Sequence, residues 1–254
     1  MTTTGGPSPA NVVAVIPARW GSTRFPGKVL APLNGKPMIQ HVWERVRQVD
    51  ALRRVLVATD DERVATAVQE FGGEAVMTLA TLPSGTDRVA QAVQQIEAQV
   101  VVNVQGDEPL VEPAMVASLV DLMTAHPQIS MATLKHRLTD PREVASPHLV
   151  KVVTDSTGWA LYFSRAPIPY ARHPGAGPGW FKHLGLYAYQ RAFLEELVAW
   201  PPSPLELAEG LEQLRALDHG ARIMVLETPH DTVGVDTPDD ASRVAALLRT
   251  RVRA

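Results

Sequence analysis

Two hydrophobic rhythms alternate along the chain. Val12 to Ile16 is an unbroken apolar run, β-branched at three of its first four positions, and reads as a strand buried on both faces that Pro17 ends. After a polar loop, Asn34-Gly35-Lys36-Pro37 is a turn with Pro at a helix start, and Met38, Val42, Val46 and Val49 then recur at helical spacing. The pattern repeats. Arg54 to Thr59 predicts a second strand, with Asp60 and Asp61 placed to cap a helix whose apolar face is Val64, Val68 and Phe71 and which stops at Gly72-Gly73. Glu74 to Met77 predicts a third strand, Ser84-Gly85-Thr86-Asp87-Arg88 opens a helix along Val89, Val93 and Ile96, and Val100 to Val104 predicts a fourth strand. A helix over Pro113–Ala125 and a strand over Ile129–Leu134 complete a β-α-β-α-β-α-β-α-β order. That order argues for an α/β fold with a mostly parallel sheet and helices on both faces.

The middle of the chain departs from this rhythm. Leu149–Thr154 and Trp159–Phe163 flank an Asp155-Ser156-Thr157-Gly158 turn and predict a hairpin. Arg165 to Gly179 is rich in Pro and Gly and reads as a mobile loop. Phe181–Tyr189 mixes aromatics with a His and is a further candidate strand, followed by helices near Arg191–Trp200 and Pro204–Leu217. The region 136–220 is accordingly expected to be an insertion or lid on a single domain spanning 11–254. Ile223–Glu227 returns to the strand pattern. Thr237 then caps a last helix with Pro238 first, Asp239 and Asp240 in its first turn and arginines at its end, a charge order that matches the helix dipole.

Composition narrows the class. The 254 residues are 45% hydrophobic and 20% charged, enough for one large domain or a domain with an insertion. The net charge of −3 implies no nucleic-acid or polyanion surface, so cations clustered in one loop are a local feature. There is no cysteine, which excludes disulfides, thiol catalysis and Cys-ligated metals. Residues 1–10 lack a charged segment followed by an apolar one and read as a disordered tail rather than a signal peptide. No apolar run reaches the ~18 residues of a membrane span, so a soluble, cytoplasmic protein is expected.

The loop after the first strand carries that cluster: Arg19, Arg24 and Lys28, the hydroxyls of Ser22 and Thr23, and Gly21 and Gly27. Cations and free backbone N–H groups at the carboxyl end of a buried strand suit a polyphosphate, although a solvated basic loop would look the same. Asp107 follows the fourth strand at the same sheet edge. Beside phosphate-binding cations a carboxylate there can hold Mg²⁺, which prefers one or two carboxylates plus substrate phosphates. Asp236 is a second candidate, unless it merely precedes the helix cap. The segment Ser84–Arg88 is a helix N-terminus that can also take a base or phosphate. His183 and Tyr187, four apart, more often pack than bind, and Glu206, Glu209 and Glu212 form an i, i+3, i+6 stripe that reads as a solvated helix face. No His-x-x-x-His pair, Gly-x-Ser-x-Gly elbow, P-loop or Gly-x-Gly-x-x-Gly fingerprint is present.

Together these segments resemble one family. Ile16-Pro17-Ala18-Arg19, Ser22 to Lys28, Asn34 to Ile39, Val57 to Asp60, Ser84 to Arg88 and Val102 to Pro109 are similar to the 3-deoxy-manno-octulosonate (Kdo) cytidylyltransferases. So are Val150 to Val153, Ala160 to Pro169, His183 to Tyr187, Ser203 to Glu206, Leu211 to Arg215 and Gly234 to Pro238. The resemblance covers nearly everything from residue 11 onward, and the middle blocks narrow it to Kdo. It implies a Rossmann-like nucleotidyltransferase fold with a β-rich lid and dimerisation elaboration, and transfer of CMP from CTP to Kdo with Mg²⁺, for lipopolysaccharide biosynthesis. It further implies that Arg19, Ser22 and Lys28 hold the triphosphate with Arg24 close by, that Pro17, Ala18, Thr59, Ser84, Gly85 and Arg88 surround the cytidine, and that Asp107 and Asp236 are metal ligands. Gln105, Arg165, His183, Tyr187, Glu212 and Gln213 would line the sugar site, and the protein would be a homodimer. Trp20 departs from the family's usual Tyr, the loop Ala171–Trp180 is short, and the tail has no counterpart. The competing readings are a cytidylyltransferase for another acidic sugar (a sialic acid or 8-amino-Kdo), a sugar-1-phosphate nucleotidyltransferase, and a non-catalytic nucleotide-binding module.

Overall fold

The computed structural model describes residues 10–21, 25–173 and 177–251. The expected tail therefore lies, but for Ala10, outside the described residues. The order is β1 (Val12–Pro17), a short 3-10 turn (Lys28–Leu30), β2 (Pro32–Leu33), β3 (Lys36–Pro37), α1 (Met38–Val46), β4 (Arg54–Thr59), α2 (Glu62–Glu70), β5 (Glu74–Met77), α3 (Gly85–Ala92), β6 (Val100–Asn103) and α4 (Pro113–Ala125). It continues with β7 (Met131–Leu138), α5 (Pro141–Ala145), β8 (Lys151–Thr154), β9 (Ala160–Ser164), β10 (Trp180–Gln190), α6 (Arg191–Ala199), α7 (Pro204–Glu209), α8 (Gln213–Asp218), β11 (Ile223–Glu227) and α9 (Pro238–Arg251).

The main sheet runs β11-β7-β10-β6-β1-β4-β5, with β1 at its heart. Ala14 faces Val55 of β4 on one side and Val102 of β6 on the other, both in parallel register. The alternation of β1 serves two cores. Val12, Ala14 and Ile16 join α1, α2, α4 and α9, whereas Val13 and Val15 join α3, α6 and α8. Helices therefore cover both faces, and each buried Val or Ile of the strand contributes roughly 1.5–3 kcal/mol of transfer free energy. The chain leaves β1 toward β4 and β5 and returns on the other flank at β6. That reversal opens a crevice at the carboxyl ends of β1 and β6, where such sheets bind ligands. No helix among the described residues is long and apolar enough to cross a membrane.

Four local expectations are corrected. The strand expected over Ile129–Leu134 runs instead from Met131 to Leu138, and it does not neighbour β6. Strand β10 lies between them, antiparallel to both, because its alternate side chains feed both cores: Leu184, Leu186 and Ala188 on one face, Phe181, Tyr187 and Tyr189 on the other. Much of the 136–220 region thus belongs to the central sheet, while the β8–β9 hairpin pairs with β10 off the main path. The helix expected over Pro204–Leu217 is two helices, parted at Gly210, whose φ of 63° ends α7 in a left-handed turn. Pro37 caps α1 rather than starting it, because Lys36–Pro37 pairs with Pro32–Leu33 across the Asn34-Gly35 turn.

Candidate active site

A cavity of about 330 Å³ opens at the carboxyl ends of β1 and β6, lined by Pro17, Arg19, Lys28, Ser84, Gly85, Arg88, Gln105, Asp107, Glu212 and Asp236 among others. Ten of the expected site residues therefore meet in one place. Backbone bonds stitch its walls together: Ala18 N donates to Ala58 O at 2.8 Å, Val104 N to Val15 O at 3.0 Å, and Val235 N to Asp107 O at 2.9 Å. Gly106 permits a close backbone approach, since a Cβ there would stand 2.7 Å from the carbonyl oxygen of Pro17. Ser22 and Arg24, expected at the phosphates, lie outside the described residues.

Lys28 is the hub of the site. Its Nζ donates to Asp107 Oδ2 at 2.6 Å, to Asp236 Oδ1 at 3.1 Å and to Val235 O at 3.1 Å. Burial works against its charge, but the two carboxylates outweigh burial and raise its pKa, so it is a firm ammonium. Asp107 and Asp236 come from distant parts of the chain yet converge on one cation. Two carboxylates so placed, beside an open cavity, form the all-oxygen donor set that suits Mg²⁺ with substrate phosphates completing its shell. Among the described residues no cluster of three His, Cys, Asp or Glu side chains forms a closed metal cage.

Opposite this hub, Ser84 caps α3 by accepting from Asp87 N at 3.2 Å, which leaves Gly85 at the start of the helix facing the cavity. Arg88 is only 3% exposed. Its guanidinium donates to Asp60 Oδ2 at 3.0 Å and to Thr78 Oγ1. Asp60 also accepts from Trp20 N at 3.2 Å, so the sequence reading of Asp60 as a cap missed a bridge between the opening loop and α3. The cap itself is Asp61, which accepts from Arg63 N at 2.9 Å. Trp20 gains a structural place as well. It stacks under the Arg63 guanidinium at 3.5 Å and packs on Gly27, whose φ of 67° and missing Cβ leave room for the ring.

The remaining expected residues do not line this cavity. Ala18 and Thr59 are fully buried beneath it. Tyr187 and Gln213 line a small neighbouring cavity of about 20 Å³ that shares Glu212. His183 is buried, contacts Thr133 Oγ1 at 3.1 Å through Nε2 and packs edge-on against Phe163. Burial first and the Lys182 charge second push its pKa down to about 3, so it is a neutral imidazole. Arg165 donates from Nε to Glu209 O at 2.7 Å and from Nη1 to Pro147 O at 3.0 Å. The acidic stripe is not one solvated face, although Glu212 is exposed. Glu206 is buried in a bidentate pair with Arg215, Glu209 accepts from Ser164 Oγ at 2.6 Å and Arg165 N at 2.9 Å, and Glu212 accepts from Thr86 Oγ1 at 2.6 Å. Breaking the helix at Gly210 is what turns these three carboxylates toward different partners.

Comparison with known proteins places this chain among relatives. The sequence profile of a family described as Cytidylyltransferase matches residues 13–223. A 3-deoxy-manno-octulosonate cytidylyltransferase of Solibacter usitatus is 50% identical over 244 residues, 96% of this chain and 97% of its own length. One from Geobacter sulfurreducens is 48% identical over 254 residues, 94% of this chain and the whole of its own. A solved structure of CMP:2-keto-3-deoxy-manno-octonic acid synthetase complexed with CTP superposes with a TM-score of 0.92 at 46% identity, covering 95% of this chain and 100% of that one.

Proposed function

The chain belongs to the 3-deoxy-manno-octulosonate cytidylyltransferases, and from that premise we propose that it transfers CMP from CTP to the anomeric hydroxyl of Kdo. The anomeric oxygen attacks the α-phosphorus, the bond from that phosphorus to the α–β bridging oxygen breaks, pyrophosphate leaves, and the proton of the hydroxyl passes to solvent. Little covalent work falls to the protein, so positioning and charge carry the catalysis. The observation that supports this reading best is the convergence of Asp107 and Asp236 on Lys28, in one cavity with Arg19, Ser84, Gly85 and Glu212.

Asp107 and Asp236 would hold a divalent cation, Mg²⁺ by the oxygen character of the pair. When bound, that cation supplies charge neutralisation at the reacting phosphate. Lys28 and Arg19 offset charge on the departing pyrophosphate, together with Ser22 and Arg24 of the opening loop. Pro17, Ser84, Gly85 and Arg88 form the cytidine side, with Ala18 and Thr59 behind them. Gln105 and Glu212 face the acceptor, and Tyr187, Gln213 and His183 shape the wall behind it. Arg165 is the residue assigned to the Kdo carboxylate; in the structure its Nε and Nη1 donate to Glu209 O and Pro147 O. We extend the reading to a homodimer built through the middle of the chain, where Leu161, Leu207 and Tyr170 are exposed at 62%, 72% and 89%. Light scattering that returned a monomer mass at micromolar concentration would remove the dimer.

Pyrophosphate release tests the reaction. CTP with Kdo and Mg²⁺ is expected to release pyrophosphate, whereas CTP with neuraminate and CTP alone are not. No release with Kdo under any divalent metal would sink the proposal, and equal release with neuraminate would move the acceptor to another acidic sugar.

A further inference from the structure

Thr86 lies one residue beyond Gly85, on the turn that faces the nucleotide side of the cavity, yet its side chain works on the other side. Its Oγ1 donates to Glu212 Oε2 at 2.6 Å. Glu212 is exposed at the cavity rim and opens α8 without capping it, so its own helix does nothing to orient its carboxylate. Thr86 itself is buried, at 9% exposure. Its single proton goes to Glu212, and the two side chains share the wall of the small neighbouring cavity with Tyr187, Tyr189 and Arg215. Tyr189 and Asn103 are each 1% exposed. Burial, and next the Glu212 charge, push the Tyr189 phenol up, so it stays protonated. Asn103 Oδ1 in turn receives a long contact from Gln105 Nε2 at 3.4 Å, and Gln105 also donates to Gly185 O at 3.1 Å. Thr86 thus holds one residue of the acceptor side, Glu212, and Asn103 contacts another, Gln105.

We propose that Thr86 is a positioning residue for the acceptor: its buried hydroxyl locks the Glu212 carboxylate in the orientation that receives the sugar. This rests on the acceptor role given to Glu212 above. An exposed glutamate samples several rotamers, and a charge-assisted bond to a buried hydroxyl removes that freedom before the sugar arrives. Because Thr86 belongs to α3 and Glu212 to the start of α8, the bond also fixes the distance between the nucleotide and acceptor walls.

Steady-state kinetics of Thr86→Val and Thr86→Ser, with Kdo and CTP varied separately, test this. Losing one hydrogen bond to a charged group is expected to raise KM for Kdo about tenfold in T86V. KM for CTP is expected to stay within about twofold, and T86S to match the parent enzyme. Glu212→Ala alone is expected to raise KM for Kdo, and T86V added to it to raise it no further, because the two share one interaction. A T86V enzyme with unchanged KM for Kdo overturns the proposal, as does T86S failing as badly as T86V, which would mean packing and not the hydroxyl. If E212A leaves KM for Kdo unchanged, the acceptor role of Glu212 falls and the proposal with it; if E212A raises it and T86V does not, only the proposal falls. Should T86V not fold, Thr86→Ala removes the same hydroxyl with less bulk and is read the same way.

Discussion

Lys28 Nζ stands 2.6 Å from Asp107 Oδ2, and the same ammonium reaches Asp236 at 3.1 Å, so one lysine gathers two carboxylates that are far apart in sequence. Replacing Asp107 by Asn keeps the shape and removes the charge. Turnover is expected to fall at least ~10²-fold at saturating Mg²⁺, the cost of losing one strong electrostatic contact at the reacting phosphate. Lys28→Met should fall comparably, because it removes a cation and leaves the two carboxylates facing each other. Pyrophosphate release measured against Mg²⁺ concentration checks both, and near-parental turnover in D107N would end the metal assignment.

Gly106 is a point of close backbone approach in the site. An alanine Cβ would press on a backbone atom, the Pro17 carbonyl oxygen, at 2.7 Å, and neither chain segment has room to yield without moving. Gly106→Ala is expected to cost about 1–3 kcal/mol of stability by overpacking. It should lower kcat about 10²-fold as well, because a shift of order 1 Å in Asp107 misplaces the charge. Urea unfolding and kcat on the same preparation check the two effects, and a G106A enzyme of parental activity would mean that the close approach does not hold Asp107 in place.

The strands and helices of the first half were legible because each is periodic and ends in a residue with one local job. Arg54–Thr59, Glu74–Met77 and Pro113–Ala125 carry the boundaries read from the chain. What was hidden is pairing. Nothing in Phe181–Tyr189 says that it separates β6 from β7, because a strand's neighbours are chosen by both of its faces at once and not by its own pattern. The nucleotide side was legible as motifs at strand ends. The partners of Glu206, Glu209 and Glu212 were not, since one glycine, Gly210, breaks the helical spacing that made them look like a stripe. Asp60 was legible as a polar residue after a strand, but its bond to Arg88 spans 28 positions and leaves no local trace.

The Glu206–Arg215 pair makes its own prediction. Arg215 Nε and Nη2 lie 2.8 and 2.5 Å from the two Glu206 oxygens, with both residues less than a tenth exposed. Glu206 also closes a capping box with Ser203 at the start of α7. Glu206→Ala strands a buried guanidinium and is expected to cost about 3–5 kcal/mol, whereas E206A combined with Arg215→Met should cost less than E206A alone. Denaturant midpoints with matched slopes check this. A double variant no more stable than E206A would mean that packing, not the stranded charge, sets the cost.

His183 sets a pH dependence of stability. Its imidazole, pushed down to about 3 by burial and then by Lys182, ionises near 6.5 in the unfolded chain. Above pH ~6.5 both states hold it neutral and it adds no slope. As pH falls below that, the unfolded chain takes up a proton that the folded site refuses, so stability drops by up to ~1.4 kcal/mol per pH unit and the drop ends near the folded value. By pH 5 the parent protein should have lost ~2 kcal/mol on this account alone. His183→Asn removes the titrating group, and the other histidines titrate alike in both proteins. The stability gap between parent and H183N, taken from urea unfolding, should therefore shrink by about that amount between pH 7.5 and pH 5. A gap of constant size across that range would mean that position 183 is protonated in the folded protein as readily as in the unfolded chain, and that Thr133 and Phe163 do not enclose a neutral ring.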